Sequence, residues 1–231
     1  MRIPTIGETR VLIVDDHPFM RSGLAQTIND QSGLHVCGEA GSVAAALEII
    51  DSTRPQLAVV DISLGAESGI ELIQVIRQRW PEIRVLVSSM HDEGLFAERA
   101  LRAGALGYVN KGEPTDVFIA ALLRVNSGQV YLSERMTKRL LDQVRTDKPE
   151  PRRSPIETLS NRELEVYEMI GRGLSTKQIA AKLSLSPKTI ETYREHIKQK
   201  LSLSNSTELT RSAVQWVLEQ GRLPSTETAG E

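Results

Sequence analysis

The first 126 residues alternate short apolar runs with longer stretches in which apolar positions recur every three or four residues. The runs Arg10–Val14, Leu34–Glu39, Leu57–Val60, Arg84–Ser88 and Gly107–Val109 read as strands. The intervening stretches, Phe19–Asn29, Ser42–Ser52, Ser68–Trp80, Leu95–Ala103 and Thr115–Asn126, read as helices, with Met20, Leu24 and Ile28, or Ile70, Ile73 and Ile76, on one face. Five strand-then-helix repeats predict an α/β fold, a doubly wound five-stranded parallel sheet. Strands as uniformly apolar as Leu57-Ala58-Val59-Val60 predict burial on both faces of that sheet.

The pattern then changes. Val130-Tyr131-Leu132 is strand-like, and Ser133 can cap a helix running to about Val144. The polar segment Arg145–Pro155 holds Pro149, Pro151 and Pro155 among charges and reads as a solvated linker. Beyond it the strand signal vanishes and four helices remain. Ser160 with Glu163, and Ser175 with Gln178, form capping-box signatures, and Gly171 and Gly173 end the first helix. Ser186 followed by Pro187 opens the third helix and Asn205 with Glu208 the fourth. The expected organisation is a sheet domain over 9–126, a connecting helix and linker over 127–155, and a second, all-α four-helix domain over 156–221. The tail Pro224–Glu231 reads as disordered.

Composition narrows the class. Of 231 residues, 40% are hydrophobic and 25% charged, which are globular values. The single cysteine, Cys37, cannot form an internal disulfide and lies in the apolar stretch Leu34-His35-Val36-Cys37, where a buried, inert thiol is expected. No signal peptide and no uncharged apolar run of about 20 residues is visible, so a cytoplasmic protein without a membrane partner is expected. Residues 1–125 carry 11 basic and 16 acidic side chains, a net of −5; residues 126–154 carry 7 and 4, and residues 155–222 carry 10 and 8. An acidic front suits a metal site, and a mildly basic back half permits nucleic acid.

The acids occupy telling places. Asp15-Asp16 closes the first strand and Asp61 the third, while Ser89 and Lys111 follow the fourth and fifth. Strand C-termini of a parallel sheet share one edge, where ligands bind. Three carboxylates there, with the carbonyl of Ser63, would suit Mg²⁺, which takes oxygen ligands and keeps several waters. A carboxylate becomes a competent phosphoryl acceptor once a cation neutralises the incoming charge, which makes Asp61 the candidate acceptor. Lys111 and the Ser89 hydroxyl would each meet a phosphate oxygen. Singly, each residue is an ordinary cap or turn residue; five at successive strand ends are not. His17 beside the acids reads as a helix-start residue rather than a metal ligand, and His35, His91 and His196 form no metal-spaced set.

Residues 9–126 resemble the receiver domain of bacterial two-component response regulators, through VLIVDDHPFMRSGL, LAVVDISLGAESGIEL, VLVSSMHDE and GALGYVNK. The resemblance implies that Asp61 accepts phosphate from a histidine of a sensor kinase. It implies that Asp16, Asp61 and the Ser63 carbonyl bind Mg²⁺ directly, with Asp15 acting through water. It also implies that Ser89 and Tyr108 are the switch pair, the hydroxyl moving toward the phosphate and the ring following inward. One residue departs from the pattern: Gly65 stands where relatives usually carry proline, which loosens the loop after the acceptor.

In the back half, two short helices flank Leu183-Ser184-Leu185-Ser186, a helix-turn-helix layout. The second has a core face at Ile190, Ile197 and Leu201, with Lys188, Thr192, Glu195 and Gln199 opposite. Periodicity alone leaves a groove reader and a plain solvated helix about even. Residues 159–217 resemble the LuxR-type DNA-binding domain, and the whole chain is similar to the NarL/FixJ class. By that resemblance Glu191, Thr192 and Glu195 face bases, and Thr176, Lys177, Ser186, Lys188 and Thr189 meet backbone phosphates. Tyr193 stands where many relatives have histidine. The fourth helix, Asn205–Gln220, is implied as a dimer surface, with Trp216 expected in the core. Glutamate accepts a hydrogen bond from cytosine N4, so Glu191 or Glu195 is expected to read a cytosine.

The expected function is a phosphorylation-controlled, DNA-binding transcriptional regulator of a two-component system, not an enzyme, forming a homodimer when phosphorylated. A phosphatase with an aspartate nucleophile would need a second acid two residues on, where Ser63 stands. A module that signals without phosphate would not need so complete an acidic site.

Overall fold

The computed structural model describes residues 7–145 and 155–221, with no side-chain detail at 143–145 and 220–221. Five parallel strands, β1 (Thr9–Val14), β2 (Leu34–Ala40), β3 (Leu57–Val60), β4 (Arg84–Ser89) and β5 (Gly107–Asn110), form one sheet in the order β2-β1-β3-β4-β5. Helices α1 (Pro18–Asn29), α2 (Val43–Thr53), α3 (Gly69–Arg79), α4 (Glu93–Ala103) and α5 (Thr115–Asn126) follow them in turn. The chain order reverses at β1, between β2 and β3, which is the doubly wound switch point of a flavodoxin-like sheet.

Alternating side chains divide the core. Val11, Ile13, Leu57, Val59, Leu86 and Val109 pack with Ile28 of α1 and Phe118, Leu122 and Val125 of α5 on one face. The alternate residues Leu12, Val14, Ala58, Val60 and Val87 are also buried, on the side left to α2, α3 and α4. Burial on both sides explains why the stretches Val11–Val14, Leu57–Val60 and Val85–Val87 contain no polar position. The β1–β2 register slips between Val11, opposite Val36, and Leu12, opposite Gly38. Cys37 is the extra residue of that bulge. It is half-buried rather than fully buried as expected, with Sγ near Val11 O and Thr53 Oγ1, and burial raises its thiol pKa, which disfavours the reactive thiolate.

Three details depart from the sequence pattern. A two-residue antiparallel hairpin, Ser63–Leu64 with Glu67–Ser68, follows β3. Residues 130–132 form no strand: Tyr131 makes a single parallel bridge to Gly107. Helix α6 (Glu134–Arg145) then begins at the expected cap, where Ser133 Oγ accepts from Met136 N–H at 3.1 Å. The chain divides into two compact units at Asp147/Lys148, so α6 belongs with the sheet. Residues 146–154 of the expected linker, and the tail, lie outside the described residues.

The second unit contains a 3₁₀ turn (Pro155–Thr158) and helices α7 (Asn161–Gly171), α8 (Thr176–Lys182), α9 (Pro187–Leu201) and α10 (Ser206–Gly221). Both capping boxes form: Ser160 with Glu163 and Ser175 with Gln178. Ser186 accepts from Thr189 N–H with Pro187 in the first turn, and Asn205 Oδ1 accepts from Glu208 N–H. Val166, Tyr167, Ile170, Ile179, Ile190, Ile197, Leu209 and Ala213 make the core, and Trp216 is buried against Tyr167 with ring centroids 5.2 Å apart.

Candidate functional site

β1, β3 and β5 end at the same edge of the sheet, and the side chains just past their ends converge. Asp15 and Asp61 are 1% and 5% exposed. Lys111 Nζ lies between them, 2.5 Å from Asp15 Oδ2 and 2.6 Å from Asp61 Oδ2. Burial alone would lower the lysine's pKa; the Asp61 and Asp15 charges outweigh it and hold the ammonium above its ordinary value. The cation is therefore firmly charged and spans the mouth of an acidic pair.

Ligand oxygens of Asp15, Asp16 and Asp61, with a ring nitrogen of His17, all lie within 4.8 Å of one another. Asp16 Oδ2 accepts from Gly65 N–H at 2.9 Å. Asp16 Oδ1 is buried and has no hydrogen-bond donor, although His17 Nδ1 stands 2.7 Å away as an ion-pair contact. An orphaned buried carboxylate oxygen within a tight cluster of acids fits a cation, and a mostly oxygen donor set fits a hard one.

The loop after Asp61 is shaped by two glycines. Gly65 has φ +58°, a value closed to proline, and its N–H is the donor to Asp16. A Cβ on Gly69 would sit 1.8 Å from the Asp61 carbonyl oxygen, so only glycine lets the loop close onto the end of β3. Glu67 anchors the hairpin from the other side, accepting from Val43 N–H at the start of α2. Ser63 N–H is 3.4 Å from Asp61 Oδ1, and Ser63 Oγ is 2.9 Å from His91 Nε2.

Ser89 is fully buried at the end of β4, its hydroxyl accepting weakly from His91 N–H at 3.4 Å. Tyr108 is 1% exposed, and its hydroxyl donates to His91 O at 2.9 Å. The ring is thus already inward in this structure. Asn110 Nδ2 donates to the same carbonyl at 3.0 Å, and the His91 ring packs on Phe96 with centroids 4.6 Å apart.

In the second unit, α8 and α9 make the helix-turn-helix. The turn is a Schellman ending: Leu185 N–H reaches Ala180 O, and Ser184 takes φ +53°. Ile179, Ile190 and Ile197 lock the two helices inward, leaving Lys188, Thr192, Glu195 and Gln199 exposed, as the periodicity predicts. Most of the eight expected DNA residues are engaged within the protein. Thr176 Oγ1 donates to Glu191 Oε1 at 2.8 Å, and Arg194 Nε is 3.6 Å from Glu191 Oε2. Glu195 pairs with Lys198 at 2.8 Å, Ser186 and Thr189 share a hydroxyl–hydroxyl bond, and the Thr192 hydroxyl donates to Lys188 O. Lys177 and Lys188 are exposed cations flanking these groups.

Residues 11–123 match the response regulator receiver domain, and residues 157–213 match the luxR family of bacterial regulatory proteins. The chain is 33% identical over 205 residues to the response regulator GacA of Pseudomonas aeruginosa, covering 89% of this chain and 95% of that one. It is 32% identical to the oxygen regulatory protein NreC of Staphylococcus epidermidis (89% and 96%) and 31% identical to the response regulator UvrY of Escherichia coli K12 (88% and 93%). The chain belongs to the NarL/FixJ response regulators. Among solved structures, a LuxR-family two-component response regulator from Aurantimonas sp. SI85-9A1 is 31% identical with a TM-score of 0.56, over 59% of this chain and 98% of that one. Two RcsB dimers bound to two parallel DNAs give 26% identity and a TM-score of 0.54, over 90% and 99%.

As a response regulator, this chain is a DNA-binding transcriptional regulator under two-component control and not an enzyme. The structure brings Asp15, Asp16, Asp61, Ser63, Ser89 and Lys111 to one sheet edge, with Tyr108 beneath it. Sequence reasoning missed His91, which meets Ser63 through its ring and Ser89 and Tyr108 through its backbone. No spacing signal announces it, because its partners lie 28 residues before it and 17 after. Among the described residues no helix is long and apolar enough to cross a membrane.

Proposed function

We propose that Asp61 is the phosphoacceptor and takes its phosphoryl group from the phosphohistidine of a sensor kinase. The N–P bond of the donor breaks as an acyl phosphate forms on an Asp61 oxygen, and the imidazole leaves. The observation that carries this reading is the Lys111 ammonium bound to Asp61 and Asp15 at once, all three side chains buried where the strands end. In the acyl phosphate, Lys111 moves from the lost carboxylate charge to a phosphoryl oxygen. Mg²⁺ would be held by Asp15, Asp16, Asp61 and the Ser63 carbonyl. When bound, it neutralises charge on the transferring phosphoryl group.

Ser89 and Tyr108 are the proposed switch. The Ser89 hydroxyl turns from the His91 amide to a phosphoryl oxygen, which biases the β4–α4 loop and the buried Tyr108 ring. The output is DNA binding by α8 and α9, through Thr176, Lys177, Ser186, Lys188 and Thr189 on phosphates and Glu191, Thr192 and Glu195 toward bases. A homodimer reading two half-sites gains affinity through effective concentration, and the RcsB dimers on DNA support that assembly. The proposed setting is the cytoplasm, with a receiver domain over 9–126, extended by α6, joined through the rest of 127–155 to a DNA-binding domain over 156–221.

The test is radiolabelled acetyl phosphate with Mg²⁺. Wild type takes up a hydroxylamine-sensitive label that Asp61→Ala does not. Retained label on another residue in Asp61→Ala sinks the assignment.

A further inference from the structure

We infer that Glu93 and Ser133 are positioning residues of the switch, clasping the first turn of α4 to the first turn of α6 so that rearrangement at the pocket reaches the segment leading toward the DNA-binding half. The inference rests on the functional reading above.

The clasp has two arms. In the first, Glu93 opens α4, two residues beyond His91. Its carboxylate accepts both from Ser133 N–H, at 3.0 Å, and from the Ser133 hydroxyl. That hydroxyl oxygen also accepts from Met136 N–H, so one atom both caps α6 and ties it to α4. Met136 is 2% exposed, and Arg139 Nη1 donates to Gly94 O at 2.9 Å, so the contact continues along α6. In the second arm, Tyr108 N–H donates to Tyr131 O at 3.1 Å and Tyr131 N–H to Leu106 O at 3.0 Å. A Cβ on Gly107 would lie 3.0 Å from Tyr131 O, so glycine keeps the strand edge open to that carbonyl.

These bonds close a ring of contacts. Tyr108 meets His91 through its hydroxyl and Tyr131 through its amide. His91 leads by chain to Glu93, Glu93 holds Ser133, and Ser133 leads by chain back to Tyr131. A shift of the β4–α4 loop therefore moves Glu93, and with it the cap of α6. Such a contiguous set of bonds can carry coupling where its equilibrium is biased from both ends. A mere anchor for α6 would use the same bonds but would leave the phosphate response of DNA binding untouched, which makes the two roles separable.

The experiment uses the full chain and a duplex selected in vitro by wild type. DNA affinity is measured by fluorescence anisotropy with and without beryllofluoride and Mg²⁺, and bound beryllofluoride is followed by ¹⁹F NMR. Allosteric couplings are typically about 5–150-fold. Wild type should show a ratio in that range. Glu93→Ala, which leaves the Ser133 cap of α6 in place, and Ser133→Ala should bring the ratio to within about twofold of one while beryllofluoride still binds. Glu93→Gln, which keeps an acceptor for the Ser133 donors, should restore most of the ratio. An unchanged ratio in both alanine variants overturns the clasp, and so does loss of beryllofluoride binding in them, which would put these residues in the pocket chemistry. A wild-type chain that binds beryllofluoride but shows a ratio of one overturns the clasp alone. A wild-type chain that binds none overturns the functional reading, and the clasp with it.

Discussion

Lys111 bridges two buried carboxylates with one ammonium, so the contact at the centre of the proposed phosphate site also stabilises the fold. Removing one partner of a buried ion pair costs about 3–5 kcal/mol, because a charge is left uncompensated. Lys111→Met should lose stability on that scale in EDTA. A divalent cation would supply the missing positive charge, so Mg²⁺ should raise the urea midpoint of the variant by more than it raises that of wild type. Equal gains would show that Mg²⁺ does not share these acids. Gly65 offers a second test. Its φ of +58° costs an L side chain about 1–2 kcal/mol. Gly65→Ala should lose about that much in urea denaturation. Gly65→Pro should lose more, since proline can neither reach that φ nor donate to Asp16. No difference between the two variants would mean that the Gly65 amide contributes nothing. The acids, Ser89 and Lys111 were legible because strand ends of a parallel sheet share an edge whatever lies between them. The Gly65 amide and the His91 ring were not legible. The first depends on a backbone angle, and the second on a partner brought near only by the closed loop.

At the scale of elements, local chemistry and tertiary packing agree nearly everywhere, which is why helix starts fell within two residues of their capping signals. α7 shows how a cap becomes part of a domain's electrostatics. Glu163 closes the capping box on Ser160 N–H and also accepts from Lys200 Nζ of α9 at 2.6 Å. Burial pushes its carboxyl pKa up, but Lys200 and the Ser160 amide outweigh that and hold it below its ordinary value. A depressed carboxylate adds stability above its unfolded pKa, about 4.3, and the contribution fades as pH falls through the lower folded value. The second unit should therefore lose stability below about pH 4.3. Glu163→Gln should be less stable than wild type at neutral pH and flatter through that acid range. Trp216 fluorescence in a Trp80→Phe background reports it, and parallel acid limbs for the two proteins would refute the linkage. The sequence pattern failed where an element is too short to carry a period. The two-residue strands around Gly65 form because the turn and the Glu67–Val43 bond hold them, not because of alternation. Tyr131 failed as a strand for a similar reason: one bridge to Gly107 is all that the sheet edge accepts.

Over the whole molecule, charge is divided by task. The net −5 of residues 1–125 includes the acids clustered at the strand ends, whereas residues 155–222 are only two charges positive. That small excess must be concentrated if it is to hold a polyanion, and Lys177 and Lys188 sit at the exposed helix starts of the helix-turn-helix. Glu191 and Glu195 stand on the same surface and oppose nonspecific attraction, so cations and acids should separate by experiment. Each phosphate contact releases counterions and adds about −0.9 to the slope of log K against log salt. Lys188→Ala in a DNA-bound dimer removes two such contacts. Its slope should be shallower by about 1.8, with the preferred sequence unchanged. Glu195→Gln should instead raise affinity for all DNA and alter the selected base at one position per half-site, if that carboxylate meets a cytosine amino group. Selection from a random library by both variants separates the roles. An unchanged salt slope for Lys188→Ala would remove α9 from the phosphate backbone. An unchanged consensus for Glu195→Gln would leave its carboxylate to Lys198 alone and shift base reading to Thr192 and Glu191.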